Sequence, residues 1–172
     1  MSSVYLCGFM GCGKSHIGRM TAAALHQRFV DLDRYIVEKE GMTIPEIFER
    51  FGEPHFRELE AKYIRELSDG NVVATGGGAL INDSTAEFAR SSGLTVYINT
   101  SFDICYERIK NDANRPLVVK NTREQLHELY NTRDVIYRRN SLYMVNGSAR
   151  DYIIRDEILK LLSYYEKHII KE

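Results

Sequence analysis

The sequence is short of proline, cysteine and net charge, and each shortage removes a class of protein. Only three prolines occur in 172 residues. There is no internal repeat, low-complexity tract or Pro/Gly-rich linker, so one domain over residues 1–172 is expected. The three cysteines, Cys7, Cys12 and Cys105, lack metal-ligand spacing and are odd in number. They read as reduced thiols of a cytosolic protein, with no disulfide framework. Cys12 lies in a glycine-rich loop, where small residues of many kinds fit, so a redox role is the weaker reading. A formal net charge of −1 gives no overall basic footprint for nucleic acid, so any anion site must come from local charge. No apolar run reaches the roughly 18 residues that span a bilayer. The stretch MSSVYLCGFMG has neither the basic nor the long apolar part of a signal peptide. A cytoplasmic protein with no nucleic-acid or membrane partner is expected, with a monomer as the default.

What is present is an alternation of short apolar runs with helical patterns. Strands are expected at Val4–Cys7, Phe29–Asp31, Val72–Ala74, Leu94–Ile98 and Leu142–Val145. Helices are expected from Lys14 to Gln27, Arg34 to Glu40, Thr43 to about Gly52, Pro54 to Leu67, Ser84 to Arg90, Thr100 or Ser101 to Lys110, Thr122 to Arg139 and Arg150 to Lys167. Strands alternating with helices imply a three-layer α/β/α fold around a five-stranded parallel sheet. Ligands of such sheets bind beyond the carboxyl ends of the strands, and each glycine-rich or charged cluster below follows a strand.

Gly8-Phe-Met-Gly-Cys-Gly13-Lys14-Ser15 satisfies the P-loop pattern in full. Glycines let the backbone curl until many N–H groups point at phosphate oxygens, and the following helix adds its N-terminal dipole. Lys14 supplies a point charge for the β- and γ-phosphates, and the Ser15 hydroxyl a ligand for Mg²⁺. ATP binding and phosphoryl transfer follow. Val72–Ala74 ends in Thr75 and glycines, without the acidic residue that usually closes a Walker B strand. The metal-linked acid must therefore come from elsewhere.

Asp31, beside Asp33, is the nearest candidate. Two apart in an extended segment, they would face one cleft, one for hydrated Mg²⁺ and one for a substrate hydroxyl. The bland alternative is that Asp33 only caps a helix starting at Arg34. Arg57 and Glu60 share a helix face at i,i+3 spacing, which is ordinarily a surface pair. Arg115 lies in the one long polar connection, about residues 111–122, where a closing lid would bring positive charge to a transferring phosphate. Arg133 edges an apolar helix face near Ile136 and Tyr137. Gly76-Gly77-Gly78 exceeds what a turn needs and signals close approach by ligand or backbone.

Taken together, Asp31-Leu-Asp33, Gly52-Glu53 with Phe56-Arg57 and Glu60, Thr75-Gly76-Gly77-Gly78, Arg115-Pro116-Leu117 and Arg133 with Tyr137 resemble shikimate kinase over nearly the whole chain. The resemblance implies a P-loop, nucleoside-monophosphate-kinase-like architecture with a mobile lid and substrate-binding helices at about 33–67. It implies ATP-dependent phosphorylation of the shikimate 3-hydroxyl, in the branch leading to chorismate and aromatic amino acids. Gly11, Cys12, Gly13, Lys14, Ser15 and His16 would line the ATP phosphates, with Arg108 and Arg150 beside the adenine. One Mg²⁺ would sit with Ser15 and, through water, Asp31. Asp33 would bind the attacking hydroxyl. Arg57 and Arg133 would grip the carboxylate, Glu60 would orient Arg57, and Gly76, Gly77 and Gly78 would back the ring. Lys14, Asp33 and Arg115 would carry catalysis.

Two segments depart from the family pattern. The lid reads Arg115-Pro-Leu-Val-Val-Lys-Asn, without the family's second leucine and Gly/Asp-rich tip. Arg133 is followed by Asp-Val-Ile-Tyr, where the family usually has proline and leucine before the tyrosine. Neither removes a charged group. Another small-molecule P-loop kinase, such as a gluconate or nucleoside-monophosphate kinase, is the first rival, but Thr75-Gly-Gly-Gly and the Asp-x-Asp pair are not expected there. A nucleotide-binding module without catalysis is the second, and it should have lost a charged group.

Overall fold

In the computed structural model, which describes residues 2–113 and 115–169, five strands form one parallel sheet of order β2-β3-β1-β4-β5. They are β1 (Ser3–Cys7), β2 (Arg28–Asp31), β3 (Asn71–Ala74), β4 (Gly93–Asn99) and β5 (Tyr143–Asn146). The expected strands agree to within a residue or two. Alternation along β1 divides the core. Val4 and Leu6 join an apolar cluster on one face, and Tyr5 and Cys7 join a second on the other.

The helices α1 (Lys14–Leu25), α5 (Phe102–Ile109) and α8 (Asp151–His168) feed the first cluster. The helices α2 (Leu32–Glu40), α3 (Ile44–Glu66) and α4 (Asp83–Ser92) feed the second. Helix α7 (Arg123–Asn140) contributes Leu126 to one cluster and Tyr137 to the other, and so links the two faces.

Local chemistry sets the boundaries. Thr43 opens α3 with a full capping box to Glu46, and Thr122 opens α7 with another to Gln125. The two helices expected on either side of Gly52 run together as α3 but break at that residue, where φ is 82° and ψ 170°. A turn of 3₁₀ helix at Ala79–Ile81 follows the glycine triplet and was not expected. The segment expected to form the lid contains a short helix, α6 (Pro116–Lys120), where an irregular connection was expected. Asn114 of that segment lies outside the described residues.

Strand register aligns the functional ends. Asp31 pairs with Ala74, Ala74 with Leu6, and Cys7 with Tyr97. The phosphate loop, the acidic pair and the glycine triplet therefore leave the same edge of the sheet side by side.

Candidate active site

The loop between β1 and α1 turns on Gly8, Gly11 and Gly13, with φ of 146°, 80° and 102°. L side chains rarely adopt these values. Gly13 is the N-cap of α1, which places the helix N-terminus at the loop. Lys14 Nζ donates to the carbonyls of Gly8 at 2.7 Å and Phe9 at 3.1 Å, and to the Cys12 sulfur at 3.6 Å. Arg108 reaches over from α5, its Nη1 donating to Gly11 O at 2.9 Å. Two expected ATP contacts fare differently. The His16 side chain turns outward to Asp151 at 2.9 Å and is 62% exposed, which leaves its backbone as its contribution to the loop. Arg150 caps α8 and meets Tyr152 Oη at 3.5 Å.

Ser15 Oγ donates to Asp31 Oδ2 at 2.9 Å. The other carboxylate oxygen of Asp31 accepts from the backbone N–H of Arg34. Helix α2 therefore starts at Leu32 with Asp31 as its cap. This corrects both parts of the local reading: the cap is Asp31, and the segment is helical beyond it, not extended through Asp33. The carboxylates still share one field, because Asp31 is among the causes that raise the Asp33 pKa, after burial. Lys14, Arg57 and Arg115 pull the other way. A hydroxyl and a carboxylate at hydrogen-bond distance beside a phosphate loop fit Mg²⁺, a hard cation that takes few protein ligands and fills the rest with water and phosphate. Among the described residues no group of three or more His, Cys, Asp or Glu could hold a metal.

Arg57 is fixed by two acids on its own helix. Its Nη1 donates to Glu60 Oε2 at 2.6 Å, and its Nη2 to Glu53 Oε1 at 2.8 Å. The i,i+4 spacing of Glu53 was the available signal for the second contact. Glu60 is 1% exposed, and its Oε1 has no hydrogen-bond partner. Burial pushes its carboxyl up to about 7, against the pull of Arg57.

The glycine triplet brings these groups together, one glycine to each. A Cβ on Gly76 would lie 3.2 Å from Asp33 Cγ and 3.1 Å from Glu60 Oε1. One on Gly77 would lie 3.0 Å from Arg133 Nη1. One on Gly78 would lie 2.5 Å from Arg57 Cζ. What approaches the triplet is therefore neither ligand nor backbone alone, but the site's own side chains from α2, α7 and α3. Tyr137 Oη also donates to Gly77 O at 2.6 Å, a contact the sequence did not reveal. Arg115 pairs with Asp112 at 2.8 Å, and its charge lowers the Asp33 pKa.

The profile of the shikimate kinase family matches residues 10–163. The chain belongs to the shikimate kinase family. A shikimate kinase from a Sulfurihydrogenibium species is 43% identical over 161 residues, covering 92% of this chain and 96% of the relative. One from Geobacter sulfurreducens is 40% identical, covering 96% and 92%. Among solved structures, shikimate kinase from Acinetobacter baumannii in complex with shikimate superposes with a TM-score of 0.86 at 35% identity, covering 98% of this chain and 96% of that one. A gluconokinase from Sinorhizobium meliloti shares the fold at TM-score 0.58 but only 17% identity. The likeness to that rival stops at architecture, whereas the shikimate kinases match in sequence and fold together.

Proposed function

We propose that this shikimate kinase family member transfers the γ-phosphoryl group of ATP to the 3-hydroxyl of shikimate, with the site residues in the roles that follow. The observation that carries the reading is the glycine triplet, which gathers Asp33, Arg133 and Arg57 around one short backbone segment. Two guanidinium groups and the Asp33 carboxylate at a single cradle, with the Glu60 carboxylate paired to Arg57, describe a small polyhydroxy acid as acceptor. The P-loop beside them describes a nucleotide triphosphate as donor.

Arg57 and Arg133 bind the substrate carboxylate, since a planar fork matches it with two hydrogen bonds. Glu53 and Glu60 hold Arg57 in place before substrate arrives, which limits the ordering cost of binding. Asp33 receives the 3-hydroxyl. Its raised pKa makes it a better proton acceptor than an ordinary surface aspartate. In the transfer the 3-hydroxyl oxygen forms a bond to the γ-phosphorus. The bond from that phosphorus to the β,γ-bridging oxygen breaks, ADP leaves, and the hydroxyl proton passes to Asp33. Lys14, the loop N–H groups and Arg115 stabilise charge on the transferring group. Ser15, and Asp31 through water, would hold Mg²⁺, which would supply neutralisation of phosphate charge.

The segment at about 111–122 acts as the lid. Arg108 and Arg150 flank the adenine, and Gly11 to His16 line the phosphates. A monomer is taken as the working unit. Three buried free thiols suit a reducing, cytoplasmic setting. ADP release measured by a coupled assay with shikimate, with gluconate and with no acceptor tests the reading. Turnover should require shikimate. Equal turnover with gluconate, or none with either acid, would overturn it.

A further inference from the structure

Asp134 follows Arg133 directly on α7 and makes two contacts of its own. Asp134 Oδ1 accepts from Tyr97 Oη at 2.7 Å. Asp134 Oδ2 accepts from Arg138 Nε at 2.8 Å. Tyr97 belongs to β4 and is 1% exposed, so its hydroxyl is a fixed point on the sheet. Its ring also packs on Tyr137, with centroids 5.3 Å apart. Tyr137 in turn donates to Gly77 O. Tyr97 therefore grips α7 on two successive turns, by hydrogen bond at Asp134 and by ring contact at Tyr137.

Arg133 sits immediately before these two grips in the chain. It precedes Asp134 directly and shares a face with Tyr137 four residues on. Its guanidinium belongs within 3.0 Å of where a Gly77 Cβ would stand, a position sensitive to rotation of the helix about its axis. A rotation of about 20° carries a side-chain head about 2 Å around the axis, given the helix's radius. Binding groups displaced by that much lose most of their effect.

We infer that Asp134, through its hydrogen bond to Tyr97, is a positioning residue that sets the rotation of α7 and thereby aims Arg133 at the acceptor carboxylate. The inference rests on the reading of Arg133 as a carboxylate ligand. Asp134 touches no reacting atom. A carboxylate bonded to a core tyrosine fixes the helix by direction as well as by packing, because a hydrogen bond has a preferred geometry and an apolar contact has none. Arg138 holds the carboxylate from its second oxygen, and its Cζ lies 5.9 Å from the Tyr97 ring centroid. The acid therefore cannot swing to solvent without breaking two bonds.

Steady-state kinetics of Tyr97→Phe, Asp134→Ala and Asp134→Asn test this, alone and combined with Arg133→Ala. Tyr97→Phe keeps the ring and removes only the donor. It and Asp134→Ala should each raise KM for shikimate about five- to tenfold and leave KM for ATP unchanged, as expected when one binding group is mis-aimed. Asp134→Asn keeps an oxygen acceptor for Tyr97 and should restore KM to within about twofold of the parent. In the Arg133→Ala background Tyr97→Phe should add nothing, because the group it aims is gone. Equal rises in both KM values, or full additivity with Arg133→Ala, would mean a general packing role and overturn the inference. If Arg133→Ala alone leaves KM for shikimate unchanged, the carboxylate assignment fails first, and the two failures are told apart.

Discussion

The nucleotide half and the acceptor half of this site are built on opposite plans. The phosphate-binding part of the proposed nucleotide half is one contiguous stretch, Gly8 to Ser15, which turns at positive φ so that backbone N–H groups are exposed. The acceptor half is side chains from α2, α3 and α7, packed on a three-glycine segment after β3. Glycine serves both halves for different reasons. In the phosphate loop it permits a conformation; in the triplet it clears space for neighbours. Nucleotide binding should therefore be fragile to backbone strain, and acceptor binding to displacement of particular side chains.

The largest effect expected is on the chemical step. Asp33→Asn keeps the shape of the acceptor half and removes its proposed base, and kcat should fall by about 100-fold or more. The dissociation constant for ATP, by calorimetry, should not change. Normal turnover would remove Asp33 from the mechanism and leave the acceptor half a binding surface only.

Arg57→Ala comes next. KM for shikimate should rise by about 10- to 100-fold with KM for ATP unchanged, since one bidentate carboxylate contact is lost. A change confined to ATP would mean that the two halves have been assigned the wrong way round.

A paired glycine experiment tests the contrast itself. Gly78→Ala puts a methyl group against the Arg57 guanidinium, at a φ of −105° that any residue adopts. It should mimic a milder Arg57 loss, raising KM for shikimate by about tenfold at little cost in stability. Gly11→Ala introduces a side chain at φ +80°, 2.8 Å from the Cys105 carbonyl oxygen. It should lower stability by about 1–3 kcal/mol and weaken ATP binding. If the two variants give the same pattern, glycine has one role in both halves and the contrast falls.

The smallest expected effect concerns pH. Glu60 ionises at about 7 in the fold against an ordinary 4.5. Between those values the folded chain holds more protons than the unfolded one. Its contribution to stability therefore falls as pH rises through the window, and the loss is complete above about 7. Glu60→Gln removes the titration. The stability difference between wild type and variant, from urea unfolding at several pH values, should move by about 1–3 kcal/mol in favour of the variant as pH rises from about 4.5 to 7.5. A difference flat across that range would place the ionisation of Glu60 near that of an exposed carboxylate.

These expectations are not equally visible in a sequence. The P-loop is, because its groups are neighbours in the chain and their spacing is the chemistry. Arg57, Glu53 and Glu60 are visible as helix-spaced neighbours, although such a pair on its own reads as surface decoration. The start of α2 is expected two residues too late, at Arg34, because Asp31 and Asp33 are equally good caps and only the sheet register with Ala74 fixes where the strand ends. The partners of the triplet were hidden. The sequence marked Gly76 to Gly78 as a place of close approach but did not say by what.

The sequence alone determined the alternating strands and helices, the phosphate loop and the identity of the charged groups, since each depends on residues within one or two turns of one another. Tertiary structure alone decided which glycine faces which side chain and how α7 is turned. Those facts rest on contacts such as Tyr97 with Asp134, separated by 37 residues, and Tyr137 with Gly77, separated by 60. No local pattern encodes a contact across that distance. It exists once the sheet has set its strand order and both apolar faces have closed over it.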